Sequence, residues 1–290
     1  MDGVWLEVAL NGPWGQKRQP LMPIRIKDII EEGIACAKEG ASIIHVHAYD
    51  EDSGLQNDDW EIYARIIDGI RGQCDCLVYP TIPLSGSVFA ANHSEIRFKH
   101  IHELAQRGLI EITVLDPGSV NFIREDQTEN ITDGFIYMNP LADIQTGFEL
   151  SRKYNLVPGF AIYEPGFTRL GAALTRKSKL KCKPIYRFMF SHEFLWGFPP
   201  KQQFLNSHLE LLNSCENNAY WMIGGLGVDI RPLIPNALKK NGHIRVGLED
   251  APWGSTWSNM KWTSEANKII NQTGNNIASF HEIKKSLGII

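Results

Sequence analysis

Two imidazoles one residue apart give this chain its strongest chemical signal: His45-Val46-His47, inside the run SIIHVHA from Ser42 to Ala48. Along a strand alternate side chains point the same way, so both histidines share one face and Val46 takes the other. Two imidazole nitrogens converging near a strand end suit a metal ion, although the same pair also serves as one hydrogen-bonded and one packed core histidine. Far along the chain, GHIRVGLED (Gly242 to Asp250) ends in two adjacent carboxylates. Strand alternation directs Glu249 and Asp250 apart and sets Arg245 deeper on the Glu249 face, where its charge can hold an acid, hold a substrate carboxylate, or orient Asp250 for proton transfer. The plainer roles are a helix cap for the acids and a structural salt bridge for the arginine.

What must bring these segments together is a series of strand-helix units. Short apolar or β-branched runs occur at Trp5 to Leu10, Ser42 to Ala48, Cys76 to Ile82, Glu111 to Leu115, Pro158 to Tyr163, Pro184 to Phe190, Ala219 to Ile223 and His243 to Leu248. Helical periods fill the gaps: Ile26, Ile29, Ile30, Ile34 and Ala37 share one face, as do Ile62, Ile66, Ile67 and Ile70. Further helices are expected near 94–107, 142–154, 165–178, 201–215, 230–241 and 263–287. Eight such units predict an α/β protein of the (β/α)8 TIM-barrel class, one domain spanning residues 1–290. An open doubly wound sheet is the rival, disfavoured because no GxGxxG follows the first strand. The segment from Asp116 to Pro140 reads as an extended loop over the barrel mouth. In a barrel the last strand is separated from the second only by the first, so two spacings of about 4.8 Å put Glu249 within reach of both histidines. Three ligands with a fourth position open describe a catalytic zinc site at the active face.

Composition excludes several other functions. The chain has 290 residues, 29 Lys+Arg against 33 Asp+Glu, and a formal charge of -4, without the basic footprint of a nucleic-acid binder. No apolar run approaches membrane-span length, and the start shows no signal-peptide pattern. The expectation is a cytoplasmic protein whose five cysteines, including the lone Cys74/Cys76 pair, are free thiols. The NxS/T matches at Asn92, Asn130 and Asn271 are read as chance.

HVHAYDEDSG together with IRVGLED resembles the β-keto acid cleavage enzyme family. The resemblance runs through KDIIEEGIACAKEGAS, DPGSVNF (Asp116 to Phe122), WMIGGLGVDIRPLIPNAL and the closing SLGI, and so covers nearly the whole chain. It implies a zinc-dependent barrel that condenses a β-keto acid with acetyl-CoA and then releases acetoacetate and a new CoA thioester. It also implies His45, His47 and Glu249 as metal ligands, Arg245 and Asp250 as an acid-base dyad, Thr81 as a hydroxyl of the third strand, and a homo-oligomer, with a tetramer among the options. Trp14, Tyr49 and Ser119 are expected against the substrate. The backbone around Gly225 and Gly227 is a candidate for phosphate contact, with a tight turn as the equal alternative.

The chain departs from the family pattern at Tyr49, where an arginine is common, at Trp14 and near Ala161, where relatives carry acids, and at Val114, where a hydroxyl is usual. The metal and dyad positions are intact while the pocket differs. Loss of the acids argues against an amino-bearing substrate, and an aromatic wall suits an apolar or quaternary ammonium group. Two other functions compete: a metal-dependent hydrolase or lyase on the same barrel that never uses CoA, and a metal- or metabolite-binding protein without turnover.

Overall fold

The computed structural model describes residues 3–83, 93–129 and 134–289. Its elements run β1 (Leu6–Ala9), α1 (Ile26–Lys38), β2 (Ile43–Val46), α2 (Trp60–Arg71), β3 (Leu77–Pro80), α3 (His93–Arg97), α4 (Lys99–Gln106), β4 (Ile112–Val114), β5 (Val120–Phe122) and β6 (Phe135–Tyr137). Then follow α5 (Leu141–Tyr154), β7 (Val157–Ile162), α6 (Pro165–Ser178), β8 (Ile185–Ser191), α7 (Gln202–Cys215), β9 (Tyr220–Leu226), α8 (Ile234–Leu238), β10 (His243–Val246), α9 (Asn259–Gln272) and α10 (Phe280–Leu287).

Eight parallel strands order as β3-β2-β1-β10-β9-β8-β7-β4, and β3 lies beside β4, so the sheet is nearly closed into a barrel. This is the expected (β/α)8 fold, with every anticipated strand present. The helices form because one face of each is apolar. Helix α1 buries Ile29, Gly33 and Cys36, and α2 buries Tyr63, Ile66, Ile67 and Ile70, against the outside of the sheet. Each fully buried isoleucine contributes roughly 1.5–3 kcal/mol of hydrophobic stabilisation. Asp59 caps α2 by accepting the Glu61 N–H, as its position before the apolar run implies.

Two expectations are corrected. The segment from Asp116 to Pro140 is not a plain loop over its described residues: β5 and β6 pair antiparallel, Val120 opposite Tyr137 and Phe122 opposite Phe135, because both short runs are rich in strand-forming residues. The single helix expected over 263–287 is two, broken at Gly274, where φ is +78°, with a Ser279/Glu282 capping box restarting α10. The matches at Asn92 and Asn130 lie outside the described residues. Among those described, no helix is long and apolar enough to cross a membrane, and all five cysteines are free.

Candidate active site

β1 sits between β2 and β10, in register Ala9 with His45 and Glu7 with Arg245. This pairing carries His45, His47 and Glu249 to the same end of the barrel. Nε2 of His45 lies 3.4 Å from Glu249 Oε2, and Nε2 of His47 lies 3.4 Å from Glu249 Oε1. One donor atom from each of the three residues falls within 4.8 Å of the others, and all three side chains are buried.

The backbone makes this possible at two glycines. Gly247 adopts φ +132°, and a Cβ there would stand 2.1 Å from the Ala9 carbonyl oxygen, so only glycine lets the chain turn off β10 against β1. A Cβ on Gly12 would meet Glu249 Cγ at 2.5 Å. Because the turn at Gly247 ends strand alternation, Glu249 and Asp250 do not diverge as expected. Both reach Arg245, whose Nη2 lies 3.0 Å from Glu249 and 2.8 Å from Asp250 while Nε donates to Asp250 at 2.9 Å.

Supporting residues that sequence patterning did not single out fix the ligands. The Asn11 side chain accepts from the His47 N–H and donates to the His47 carbonyl, clamping that peptide at 2.8 and 3.0 Å. Gln56 Oε1 lies 2.8 Å from His47 Nδ1, which places the proton on Nδ1 and leaves Nε2 as the lone-pair donor facing Glu249. His47 Nε2 is buried and hydrogen-bonded to no described residue, and so is His45 Nδ1. A carboxylate and two imidazoles with a buried nitrogen lacking a partner fit a divalent metal ion.

Beneath this set lies a buried charge network. Glu7 is fully buried and accepts from Arg187 Nη2 at 2.7 Å and from the Tyr79 hydroxyl at 2.7 Å, while Arg245 Nη1 reaches it at 3.3 Å. Burial opposes its charge, yet Arg187 and Arg245 hold the carboxyl down to about 2. Glu249 is likewise held below the usual range by Arg245 and both histidines against the effect of burial. Burial depresses His45 to about 3, so it is a neutral, lone-pair-bearing imidazole. Asp250 goes the other way, with burial lifting it to about 6 despite Arg245. Glu7 and Arg187 were findable in principle, since charges inside barrel strands need a reason, but neither belongs to a motif.

A cavity opens above the three ligands. Its wall includes Trp14, Thr81, Arg187, Arg245 and an aromatic group from the β5-β6 hairpin. Trp14 Nε1 donates to the Glu249 carbonyl at 2.9 Å, and Thr81 faces the cavity with its carbonyl near His100. Asp250 lies behind Arg245 and off the cavity wall. Tyr49 and Ser119 also lie off the wall: the buried Tyr49 hydroxyl donates to the Gly12 carbonyl, and Ser119 Oγ accepts from the Asn139 N–H at 2.8 Å. Gly225 lies within β9, its N–H 3.5 Å from Asp250, and Gly227 takes φ +65°. Neither glycine lines the cavity, and of the two Gly227 alone has the positive φ that suits the turn alternative.

The fold is a β/α barrel that gathers two imidazoles and a carboxylate, a group able to hold a metal ion, at the C-terminal ends of its strands, where enzymes of the TIM-barrel class keep their active sites. A profile of the β-keto acid cleavage enzyme family matches residues 3–289, and the chain belongs to that family, whose members are C–C bond-cleaving, acyl-transferring enzymes. It is 22% identical to 3-keto-5-aminohexanoate cleavage enzyme of Fusobacterium nucleatum, over 94% of this chain and 93% of that protein. It is also 22% identical to 3-dehydrocarnitine:acetyl-CoA trimethylamine transferase of Rhizobium meliloti, over 92% and 89%. The structure of ObcA with oxaloacetate superposes with a TM-score of 0.73 at 15% identity, over 93% of this chain and 67% of ObcA, a likeness of fold.

Proposed function

We propose that the protein converts a β-keto acid, R–CO–CH2–COO⁻, and acetyl-CoA into acetoacetate and R–CO–S-CoA, with zinc at His45, His47 and Glu249. The observation that carries this reading is the convergence of those three donors on the cavity, with the Arg245-Asp250 pair directly behind. Zinc held by His45, His47 and Glu249 would supply Lewis acidity toward the substrate. Asp250 accepts the C2 proton through a water, because it sits behind Arg245 and off the cavity wall, and a carboxyl lifted to about 6 suits both taking and returning it near neutral pH. Arg245 tethers Asp250 and faces the cavity, so its charge offsets the negative charge that develops on the substrate. The Thr81 hydroxyl hydrogen-bonds a substrate oxygen, and Trp14 covers the site against water. A new bond then joins C2 to the acetyl carbonyl carbon as the C–S bond breaks, and return of CoA thiolate to the original keto carbon cleaves the C2–C3 bond. Acetyl-CoA in the name of the Rhizobium meliloti relative supports the cosubstrate.

The test is acetyl-CoA consumption and acetoacetate release over a panel of β-keto acids, with protein of determined zinc content and a chelated control. Zinc-dependent release of acetoacetate is expected. Turnover without acetyl-CoA would favour the hydrolase or lyase alternative, and zinc binding without turnover of any acid would favour the binding-protein alternative.

A further inference from the structure

The two sides of the cavity differ in charge. At the ligand end, Arg187 of β8 pairs with Glu7 and Arg245 of β10 with Glu7, Glu249 and Asp250, and a divalent ion on the three donors would leave one positive charge over, which the carboxylate of a β-keto acid would neutralise. Across the barrel, just past β4, Asp116 lines the cavity and is 4% exposed. Oδ2 accepts from the Tyr137 hydroxyl and Oδ1 from the Ala161 N–H, each at 2.6 Å, and no described lysine or arginine is paired with it. Burial lifts its carboxyl to about 6 against those hydrogen bonds and the more distant charges of Arg187 and Arg97.

Around Asp116 stand three rings that all line the cavity: Phe122, Tyr137 and Tyr163. They meet almost at right angles, Phe122 to Tyr137 at 79°, Phe122 to Tyr163 at 73° and Tyr137 to Tyr163 at 82°, with centroids 6.1, 5.2 and 5.7 Å apart. Rings at right angles to one another line a corner on three sides, where a rounded cation can lie against negative π faces. Both Asp116 oxygens already accept hydrogen bonds, which leaves poor acceptors for a primary ammonium that must place three N–H donors.

Resting on the β-keto acid reading, we infer that Asp116 with Phe122, Tyr137 and Tyr163 forms a cage for a fully alkylated ammonium on the tail of the substrate. The substrate is then a zwitterion, its carboxylate at the ligand end and its fixed cation at the hairpin end. The carboxylate supplies field and the rings supply contact.

Calorimetric binding to the zinc-loaded protein without acetyl-CoA tests this with four β-keto acids that differ only in the tail: trimethylammonium, its carbon isostere tert-butyl, primary ammonium and carboxylate. The trimethylammonium compound should bind about tenfold or more tighter than tert-butyl. Asp116→Asn should abolish that preference while leaving tert-butyl affinity in place. Tyr163→Leu, which keeps the hydrogen bonds of Asp116, should weaken the trimethylammonium compound several-fold more than tert-butyl. Equal or tighter binding of tert-butyl, or preference for the primary ammonium or the carboxylate tail, overturns the cage while leaving the β-keto acid reading in place. Binding of none of the four overturns both.

Discussion

The two ends of this barrel use histidine in opposite ways. At the N-terminal end, Trp5, Ile43, Leu77, Ile112, Val157, Ile185 and Met222 form an apolar cluster closed by Ile283 and Leu287 of α10. The histidine there, His243, accepts the Trp5 N–H at 3.0 Å and stacks on the Trp5 ring at 4.1 Å. At the other end, His45 and His47 face a carboxylate they meet only at 3.4 Å, above a network of buried charges. One end has matched its polar groups to partners in the chain. The other keeps donors oriented toward a partner the chain does not supply, at a cost in stability that the apolar end offsets.

The largest effect should come from breaking the ligand end. His45→Ala or His47→Ala should drop zinc from about one per chain toward zero and lower activity at least about a hundredfold, read by metal analysis beside the acetoacetate assay. His243→Ala should do the reverse, keeping zinc while exposing a buried unpartnered N–H worth about 1–3 kcal/mol, so that the melting temperature falls by several degrees. Loss of zinc in the His243 variant would show that the two ends are not separable.

Asp250→Asn sharpens the division within the site. It should keep full zinc content and lose about 10²–10⁴ in kcat, and wild-type turnover would remove Asp250 from the proton step. Next in size is Gln56→Ala, which frees the His47 ring and should weaken zinc affinity about 10–100-fold in a chelator competition.

The effect furthest from the site concerns a fourth histidine that belongs to neither end. His208 stacks on Phe188 at 4.5 Å with both ring nitrogens buried and unpartnered among the described residues, and burial lowers it from an ordinary 6.5 to about 4. With the folded value depressed, the unfolded chain binds the extra proton first, so stability is lost as pH falls from about 6.5 to 4, by at most about 3 kcal/mol. His208→Leu should flatten denaturation midpoints across that window. An unchanged pH dependence would place the acid sensitivity elsewhere.

The convergence of His45, His47 and Glu249 was legible because HxH in a strand and an acid after the last strand are short-range patterns, and barrel order brings them together. Eight strands were legible from apolar runs for the same reason. The direction of Asp250 was not, because alternation stops at Gly247, whose positive φ is a tertiary demand of the Ala9 carbonyl. Tyr49 and Ser119 look available as polar residues near motifs, but backbone groups of Gly12 and Asn139 occupy their hydrogen bonding. Glu7 and Arg187 are 180 residues apart, and their pairing follows from barrel closure alone.

The β5-β6 hairpin is an excursion between β4 and β7, whereas the ligand donors come from β2 and the turn after β10. Inheritance can therefore act on the two separately. Exchange of Phe122 or Tyr137 for other side chains would reshape the cavity wall without disturbing the register that gathers His45, His47 and Glu249. The cavity is thus assembled from two separately encoded parts, one fixed by strand register and one carried on a hairpin outside the barrel sheet.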